Sequence, residues 1–447
     1  MVNLYQRKQL LDTLPKTAIS ADDFRILLSA KDYLNTLLTL IDNATTRIYM
    51  TVLYLENDQA GQLVVKHLLA AKERYPDLDI KIFVDFHRAR RGLIGHDKSD
   101  GNAAFYREID QHHPDFIKFY GVAIKQREVF GVLHLKGIVV DDTVLYTGAS
   151  INNIYLHQEE RYRYDRYCTI NSAELANSFV SYLQRALIPS EGVYLFNREP
   201  LILDSKFKKK VAAQHKQLTQ TKYQLPEIST APLTITPLIG LGKRTNQLNK
   251  VIHQQLRQCK KHLVLYTPYF NLPGVLKRDI SRLLRLGIKV DIVVGDKHAS
   301  DFFIPEDQPF SKIGLIPYLY ETMLKAFAKR HQKSIDNGLL NINLWRHEKN
   351  SFHLKGVRVD GRYHLLTGNN LNPRAWRLDI ENGLLIDDKH SQLKADFEQE
   401  HQEIITHTQR IAHWQEIESP SDYPELVRKW LTRLRRANID KIFKQYM

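Results

Sequence analysis

An eight-residue stretch recurs with six of its eight residues kept: His134-Leu135-Lys136-Gly137-Ile138-Val139-Val140-Asp141, and again His353-Leu354-Lys355-Gly356-Val357-Arg358-Val359-Asp360. Each copy reads as a strand running into a turn, at Asp141-Asp142 and at Asp360-Gly361. Alternate residues of a strand share a face, so His134 and Lys136 project together, as do His353 and Lys355. A short motif met once carries little weight. Two copies, each at the same place in a longer repeat, argue for internal duplication.

The repeat extends upstream. In the first half a helix is expected over 27–41, a strand over 47–55, a helix over 60–75 and a strand over 80–85. The second half repeats the order, with a helix over 246–258, a strand over 262–270, a helix over 273–286 and a strand over 288–294. Alternation at this spacing predicts two α/β units, each a mixed sheet flanked by helices. A polar tract over 212–236, with Pro226 and Pro232, reads as the connector. The expected organisation is therefore a first unit over 1–211, the connector over 212–236, a second unit over 237–400 and a basic helical tail over 401–447.

The repeated motif suits phosphoryl chemistry. Lysine neutralises phosphoryl oxygens, and histidine can attack phosphorus or move a proton. Gly148-Ala149-Ser150-Ile151-Asn152 follows the first copy and Gly368-Asn369-Asn370-Leu371-Asn372 the second, each placing Asn four residues after Gly. Asn152 and Asn372 are thus candidate donors to an anion. Aligning Arg163-Tyr164-Asp165 with Asp379-Ile380-Glu381 pairs Asp165 with Glu381. A carboxylate on one imidazole nitrogen would fix the tautomer and leave the other nitrogen to react. Asp141 and Asp360 complete the candidate catalytic set, as chemical players or as anchors.

Composition limits the alternatives. Among 447 residues, Lys and Arg number 64 against 50 Asp and Glu, a net +14, which predicts an anionic partner: nucleic acid, anionic lipid or a phosphorylated substrate. Two cysteines, Cys168 and Cys259, are too few for a disulfide framework. No apolar leader core follows Arg7 and Lys8, and no uncharged apolar run approaches a membrane span. His87 with His96, and the adjacent His112 and His113, lack zinc-ligand spacing, so no metal site is expected.

The doubled His-x-Lys-x4-Asp pattern resembles the phospholipase D superfamily. Within it, the chain is similar to the bacterial CDP-diacylglycerol–serine O-phosphatidyltransferases, through Leu27-Leu28-Ser29-Ala30-Lys31-Asp32-Tyr33, the run from Glu128 to His134, Tyr146-Thr147-Gly148-Ala149-Ser150-Ile151-Asn152-Asn153-Ile154-Tyr155 and the Tyr/Arg run over 162–167. The superfamily's Gly-Ser-x-Asn string is spread out in the first copy and lacks Ser in the second. The resemblance implies two pseudo-symmetric phospholipase D-like domains with both motifs in one cleft, no metal and no cofactor. It also implies CDP-diacylglycerol and L-serine as substrates and a phosphatidyl-histidine intermediate.

Other phosphodiester chemistry stays open on the motif alone, whether a nuclease, a cardiolipin synthase-like transferase or a non-enzymatic nucleic-acid binder. The charge further predicts secondary association with RNA or ribosomes. Arg166, Arg374 and Arg377 follow the motifs and are candidates for the serine carboxylate. The aromatic stretch over 302–320 is a candidate cover for acyl chains.

Pro424 opens a stretch with helical periodicity. Leu426, Val427, Trp430, Leu431, Leu434 and Ile442 fall on one side, and bases such as Arg433, Arg435, Arg436, Lys441 and Lys444 accompany them. Such a helix can lie on an anionic bilayer with Trp430 near the headgroups, or pack on the catalytic core. The expectation is a cytoplasmic protein held peripherally on the inner membrane.

Overall fold

The computed structural model describes residues 10–91, 100–197, 205–226 and 229–437. Arg7, Lys8, His96, Lys441, Ile442 and Lys444 lie outside the described residues.

Two mixed sheets carry the duplication. The first runs, edge to edge, Val193–Leu195, Lys118–Val122, Asp79–Asp85, Arg47–Thr51, Gly137–Val140, Thr143–Thr147, Tyr167–Asn171, Phe24–Leu27. The second runs Thr17–Ala18, Leu233–Gly240, Glu381–Asp388, Tyr363–Thr367, Gly356–Val359, His262–Thr267, Lys289–Gly295, Leu340–Trp345, Thr408–Ile411. Reversing one order superposes them from Lys118–Val122 on Leu340–Trp345 through to Phe24–Leu27 on Leu233–Gly240. Pairing sense agrees too. Arg47–Thr51 is parallel to Asp79–Asp85 and antiparallel to Gly137–Val140, and His262–Thr267 is parallel to Lys289–Gly295 and antiparallel to Gly356–Val359.

Helices cover the outer faces. Ala30–Asn43 buries Tyr33, Leu34, Leu37 and Ile41, spaced for one helical face, and Ser29 caps it by accepting from the Asp32 amide. It packs with Gln59–Arg74 on the first sheet, while Gln247–Gln258 and Gly274–Arg285 do the same on the second. A third core joins the halves: Val139, Val144, Tyr146 and Ile170 of the first sheet meet Ile235, Leu366, Leu384 and Ile386 of the second. The two sheets thus bury their inner faces against each other, and neither half closes its core alone.

Element limits differ from expectation where short strands intervene. Phe24–Leu27 is an edge strand and the first helix begins at Ala30. In the tract expected to be connector, helix Ser205–Leu218 runs in from one side and strand Leu233–Gly240 begins on the other. Helix Lys394–Thr406 crosses position 400, and Thr408–Ile411 is an edge strand of the second sheet. The basic helix Glu425–Arg436 turns its apolar side inward, burying Val427 and Leu431 against Leu315, Tyr318, Leu319 and Tyr423. Trp430 is partly buried beside Lys312, while Arg433, Arg435 and Arg436 are exposed. No helix among the described residues is long and apolar enough to cross a membrane.

Candidate active site

Each motif's histidine and lysine sit just before their strand, where the chain leaves its own sheet to pair with the other half. Phe352 pairs in parallel with Tyr164, and the His353 amide donates to the Tyr164 carbonyl at 2.7 Å. The other copy mirrors this: Leu133 bridges Ile380, and the His134 amide donates to the Ile380 carbonyl at 3.0 Å. One residue further along each pairing stand a histidine and a carboxylate. His353 Nδ1 lies 2.9 Å from Asp165 Oδ2, and His134 Nδ1 lies 2.8 Å from Glu381 Oε2. Every imidazole is therefore held by the opposite half, and both Nε2 atoms are left for chemistry.

The two sites share architecture and differ in detail. Around His353, Asp165 also accepts from Lys355 Nζ at 3.0 Å, Lys355 Nζ contacts Nδ1 of His353, and the Tyr155 hydroxyl lies 3.1 Å from that nitrogen. Around His134, the second Glu381 oxygen has no hydrogen-bond partner among the described residues. Asn382 clamps the Lys136 backbone, accepting from its amide at 2.8 Å and donating to its carbonyl at 2.7 Å. All four motif side chains are buried: His134 is 8%, His353 7%, and Lys136 and Lys355 each 1% exposed.

Burial sets the protonation states. It pushes His353 down to about 4, with Lys355 adding to the effect and Asp165 opposing it. It holds His134 well below the usual imidazole range, reinforced by Lys136 and Lys355. Lys136 is pushed down to about 7 by burial and then by Lys355. Burial raises Glu381, and nearby Asp379 adds to the rise. Burial works against ionised Asp165 too, but Lys355 and the bond to His353 prevail and hold it below the ordinary carboxylate range. The site therefore presents neutral imidazoles beside lysine side chains, a setting that favours an entering anion.

Glycines permit the close approach of the halves. A Cβ on Gly368 would stand 2.8 Å from Cγ of Lys136, and one on Gly148 would stand 2.6 Å from both Asp165 carboxylate oxygens. These are the glycines that follow the two motif copies: Gly368 packs on Lys136 of the other half, and Gly148 on Asp165 of its own half, the carboxylate that serves His353.

Several candidates stand elsewhere. Asp141 and Asp360 lie at the far ends of their strands and serve the backbone. Asp141 accepts from the amides of Thr45, Thr46 and Arg47, and Asp360 from those of Lys260, Lys261 and His262. Both occupy the left-handed region, φ 49° and 58°. They anchor each motif strand to its neighbour and do not face the histidines, which corrects their place in the catalytic set. Arg166 is sealed in an ion pair with Glu400 at 2.5 and 2.7 Å, so it cannot meet a serine carboxylate. Arg374 is spent on Asp379 and on the Glu128 carbonyl. Arg377 is exposed and opens on a basic groove with Lys277, Arg278 and Arg330, away from the imidazoles. Asn152 and Asn372 each use Oδ1 in a local turn, accepting from the Tyr155 and Ala375 amides, and their Nδ2 groups are the candidate anion donors, that of Asn152 also donating to the Tyr54 hydroxyl at 3.5 Å. Phe302 packs with Tyr269 and Tyr320, and Phe303 with Tyr318 under the basic helix. Among the described residues no group of three or more His, Cys, Asp or Glu side chains could hold a metal ion.

Comparison with known proteins agrees with this arrangement. The profile of the family described as "Cardiolipin synthase, PLD-like domain" matches residues 37–187 and 252–405, one match for each half. The chain belongs to the phospholipase D superfamily. Within that superfamily it is closely related to the bacterial CDP-diacylglycerol–serine O-phosphatidyltransferases. It is 45% identical over 454 residues to that of Haemophilus influenzae, with 100% of each chain covered. It is 41% identical over 444 residues to that of Escherichia coli, covering 99% of this chain and 98% of the other. The crystal structure of phosphatidylserine synthase from Haemophilus influenzae superposes with a TM-score of 0.96 at 45% identity, covering 99% of both chains.

Proposed function

We propose that the protein transfers a phosphatidyl group from CDP-diacylglycerol to L-serine, giving phosphatidylserine and CMP. The observation that carries this reading is the pair of buried imidazoles, each fixed at Nδ1 by a carboxylate of the opposite half. Two such groups in one cleft supply a nucleophile and an acid–base partner. The relatives named above bear this activity in their names.

His134 Nε2 attacks the phosphorus on the diacylglycerol side, and the bond from that phosphorus to the CMP oxygen breaks. His353 gives its proton to the departing CMP. The phosphatidyl group then rests on His134. Next, His353 takes the proton of the serine hydroxyl as that oxygen attacks phosphorus, the phosphorus–nitrogen bond breaks, and His134 is restored. Lys136 and Lys355, with Nδ2 of Asn152 and Asn372, hold the phosphoryl oxygens while charge redistributes. Asp165 and Glu381 orient the imidazoles, and the ionised Asp165 also stabilises His353 in its charged form. The neutral resting state of His134 suits a nucleophile, and an anionic donor entering between the lysines raises the imidazole pKa values toward neutrality.

The test is substrate dependence combined with trapping. CMP release should require serine, with water a poor acceptor. Donor labelled in the diacylglycerol phosphate should leave acid-labile label on His353→Ala and none on His134→Ala. The opposite pattern reverses the two roles, and serine-independent hydrolysis at full rate indicates a phosphodiesterase.

The absence of a spanning helix among the described residues and the exposed bases of helix Glu425–Arg436 support peripheral attachment to an anionic cytoplasmic membrane face. The net charge of +14 supports a secondary electrostatic association with RNA or ribosomes, dissolved by salt of about 0.2 M or more.

A further inference from the structure

With Arg166 and Arg374 spent on other partners, the recognition of an amino acid must come from other groups near the imidazoles. The strand that brings Asp165 to His353 carries Arg163 two residues earlier, and the strand that brings His353 carries Ser351 opposite Arg163. Strand alternation puts Arg163 on the face of Asp165, about 6.7 Å along the chain. Arg163 Nε donates to Asp301 Oδ1 at 2.8 Å, and its guanidinium lies over the Tyr155 ring at 4.4 Å. Tyr155 is the residue whose hydroxyl meets His353 Nδ1. Asp301 also faces Ser351, Arg161 at 3.9 Å and the Tyr269 hydroxyl at 3.4 Å.

The pair is more open than the ion pair next to it on the same strand. Arg163 and Asp301 keep 14% and 15% of their side-chain surface, against 4% and 3% for Arg166 and Glu400. At the equivalent place in the other half stands an ion pair of reversed polarity, Asp379 with Arg374. There the Asp379 carboxylate also takes the Val132 amide and the guanidinium also takes two main-chain carbonyls. Arg374 keeps 27% and Asp379 7% of their side-chain surface, against 14% and 15% for Arg163 and Asp301, so it is the carboxylate that is the more open beside His353.

We propose that Arg163 and Asp301 form the subsite for the zwitterionic head of the serine acceptor. The guanidinium receives the α-carboxylate and the Asp301 carboxylate receives the α-ammonium. Two opposite charges side by side match an α-amino acid and no uncharged alcohol. Serine spans roughly 4 Å from carboxylate carbon to hydroxyl at ordinary bond lengths, which suits the step from Arg163 toward the imidazole held by Asp165. The arrangement delivers the acceptor to His353, the histidine that takes its proton in the function proposed above, and the inference rests on that reading. These are specificity residues: they bind the acceptor and leave the donor to the other groups.

The experiment separates the two half-reactions. Exchange of labelled CMP into CDP-diacylglycerol reports the first step without serine, and phosphatidylserine formation reports both steps. Asp301→Asn and Arg163→Lys should raise the KM for L-serine about tenfold or more, well beyond any loss they cause in exchange. Arg163→Lys should also narrow the preference for L-serine over ethanolamine, which lacks the carboxylate. Parallel loss of exchange and transfer, or an unchanged KM for serine, overturns the subsite. On the unaltered protein, L-alanine should compete with serine while serine methyl ester competes at least about tenfold more weakly. Equal competition by both overturns it even where a variant fails to fold. Absence of any serine-dependent transfer by the unaltered protein refutes the function reading itself, a different outcome from these.

Discussion

Glu381, carried by the second sheet, holds Nδ1 of His134, carried ahead of the first, at 2.8 Å, and its remaining oxygen has no hydrogen-bond partner among the described residues. Its counterpart Asp165 is engaged on several sides, by His353, Lys355 and the Arg166 amide. The two carboxylates should therefore respond differently to neutral replacement. Glu381→Gln and Asp165→Asn should each lower turnover about 10²- to 10⁴-fold by loosening imidazole orientation. Asp165→Asn should also destabilise the fold by about 3 kcal/mol, because Lys355 loses its buried counter-charge. Glu381→Gln removes no comparable ion pair, and burial already disfavours the charge on Glu381. Denaturant unfolding of both variants beside their kinetics checks the contrast, and equal destabilisation would contradict it.

Lys136 links catalysis to stability through pH. Burial and Lys355 push its pKa down to about 7 from the ordinary 10.5. Between those values the unfolded chain binds more protons than the folded one. Stability therefore rises with pH across that window, and the penalty is complete below it. Lys136→Met should raise the Tm by about 2–5 °C near pH 6 and by less near pH 10. Phosphatidyl transfer should fall about 10²-fold or more, as expected when a buried cation facing a phosphoryl group is lost. In the unaltered protein kcat/KM should decline as pH rises through about 7, where free Lys136 loses its charge. Loss of Tm in Lys136→Met at pH 6 would show that packing outweighs the charge.

Gly368 offers a backbone test of how the halves meet. A methyl group there would press on the Lys136 side chain at 2.8 Å, so Gly368→Ala should displace the lysine and cut transfer about tenfold or more. Gly361 is the control. It sits in the turn after the second motif at φ 68° with nothing within 4 Å of an added Cβ. Gly361→Ala should cost about 1 kcal/mol of stability from backbone strain alone and leave kinetics alone. Comparable kinetic loss in both would refute the close-approach argument.

Much of this arrangement is legible in the sequence, and what is not has physical causes. The doubled motif, its glycines and the alignment of Asp165 with Glu381 predict the duplicated sheets and a carboxylate for each imidazole. The sequence cannot show that the carboxylates cross over, because that depends on pairing between segments far apart, such as Tyr164 with Phe352. Asp141 and Asp360 mislead for a related reason. Their regular spacing reflects a repeated structural duty, a carboxylate turned back on the amides that begin the neighbouring strand. Arginines in the run over 161–166 look alike in sequence, and only distant partners sort them: Glu400 closes Arg166, whereas Asp301 leaves Arg163 partly open. Two-residue strands such as Thr17–Ala18 are too short for periodicity to register.

The basic helix Glu425–Arg436 gives the last prediction, on membrane attachment. Its apolar side is already used, since Leu431 is 1% and Val427 5% exposed against the core. The helix therefore cannot lay that face on a bilayer, and attachment falls to what remains outside. Arg433, Arg435 and Arg436 are exposed, Leu426 is 54% exposed, and Trp430 lies between Lys312 and Arg433 at 4.9 and 5.3 Å. Bases near an anionic surface contribute about 1 kcal/mol each. Reversing Arg433, Arg435 and Arg436 to Glu should lower sedimentation with phosphatidylglycerol vesicles by about 10²-fold or more in partition coefficient. Turnover of detergent-dispersed substrate should persist, because the apolar partners of the helix include no residue of the two motifs. Salt should weaken binding of the unaltered protein and have less effect on the variant. Leu431→Asp should instead unseat the helix and lower the Tm, separating packing from attachment. Undiminished vesicle binding after charge reversal would shift attachment to Val129 and Phe130. These side chains are 60% and 51% exposed on the short helical turn that precedes His134 in the chain, and an exposed apolar pair there could enter the lipid.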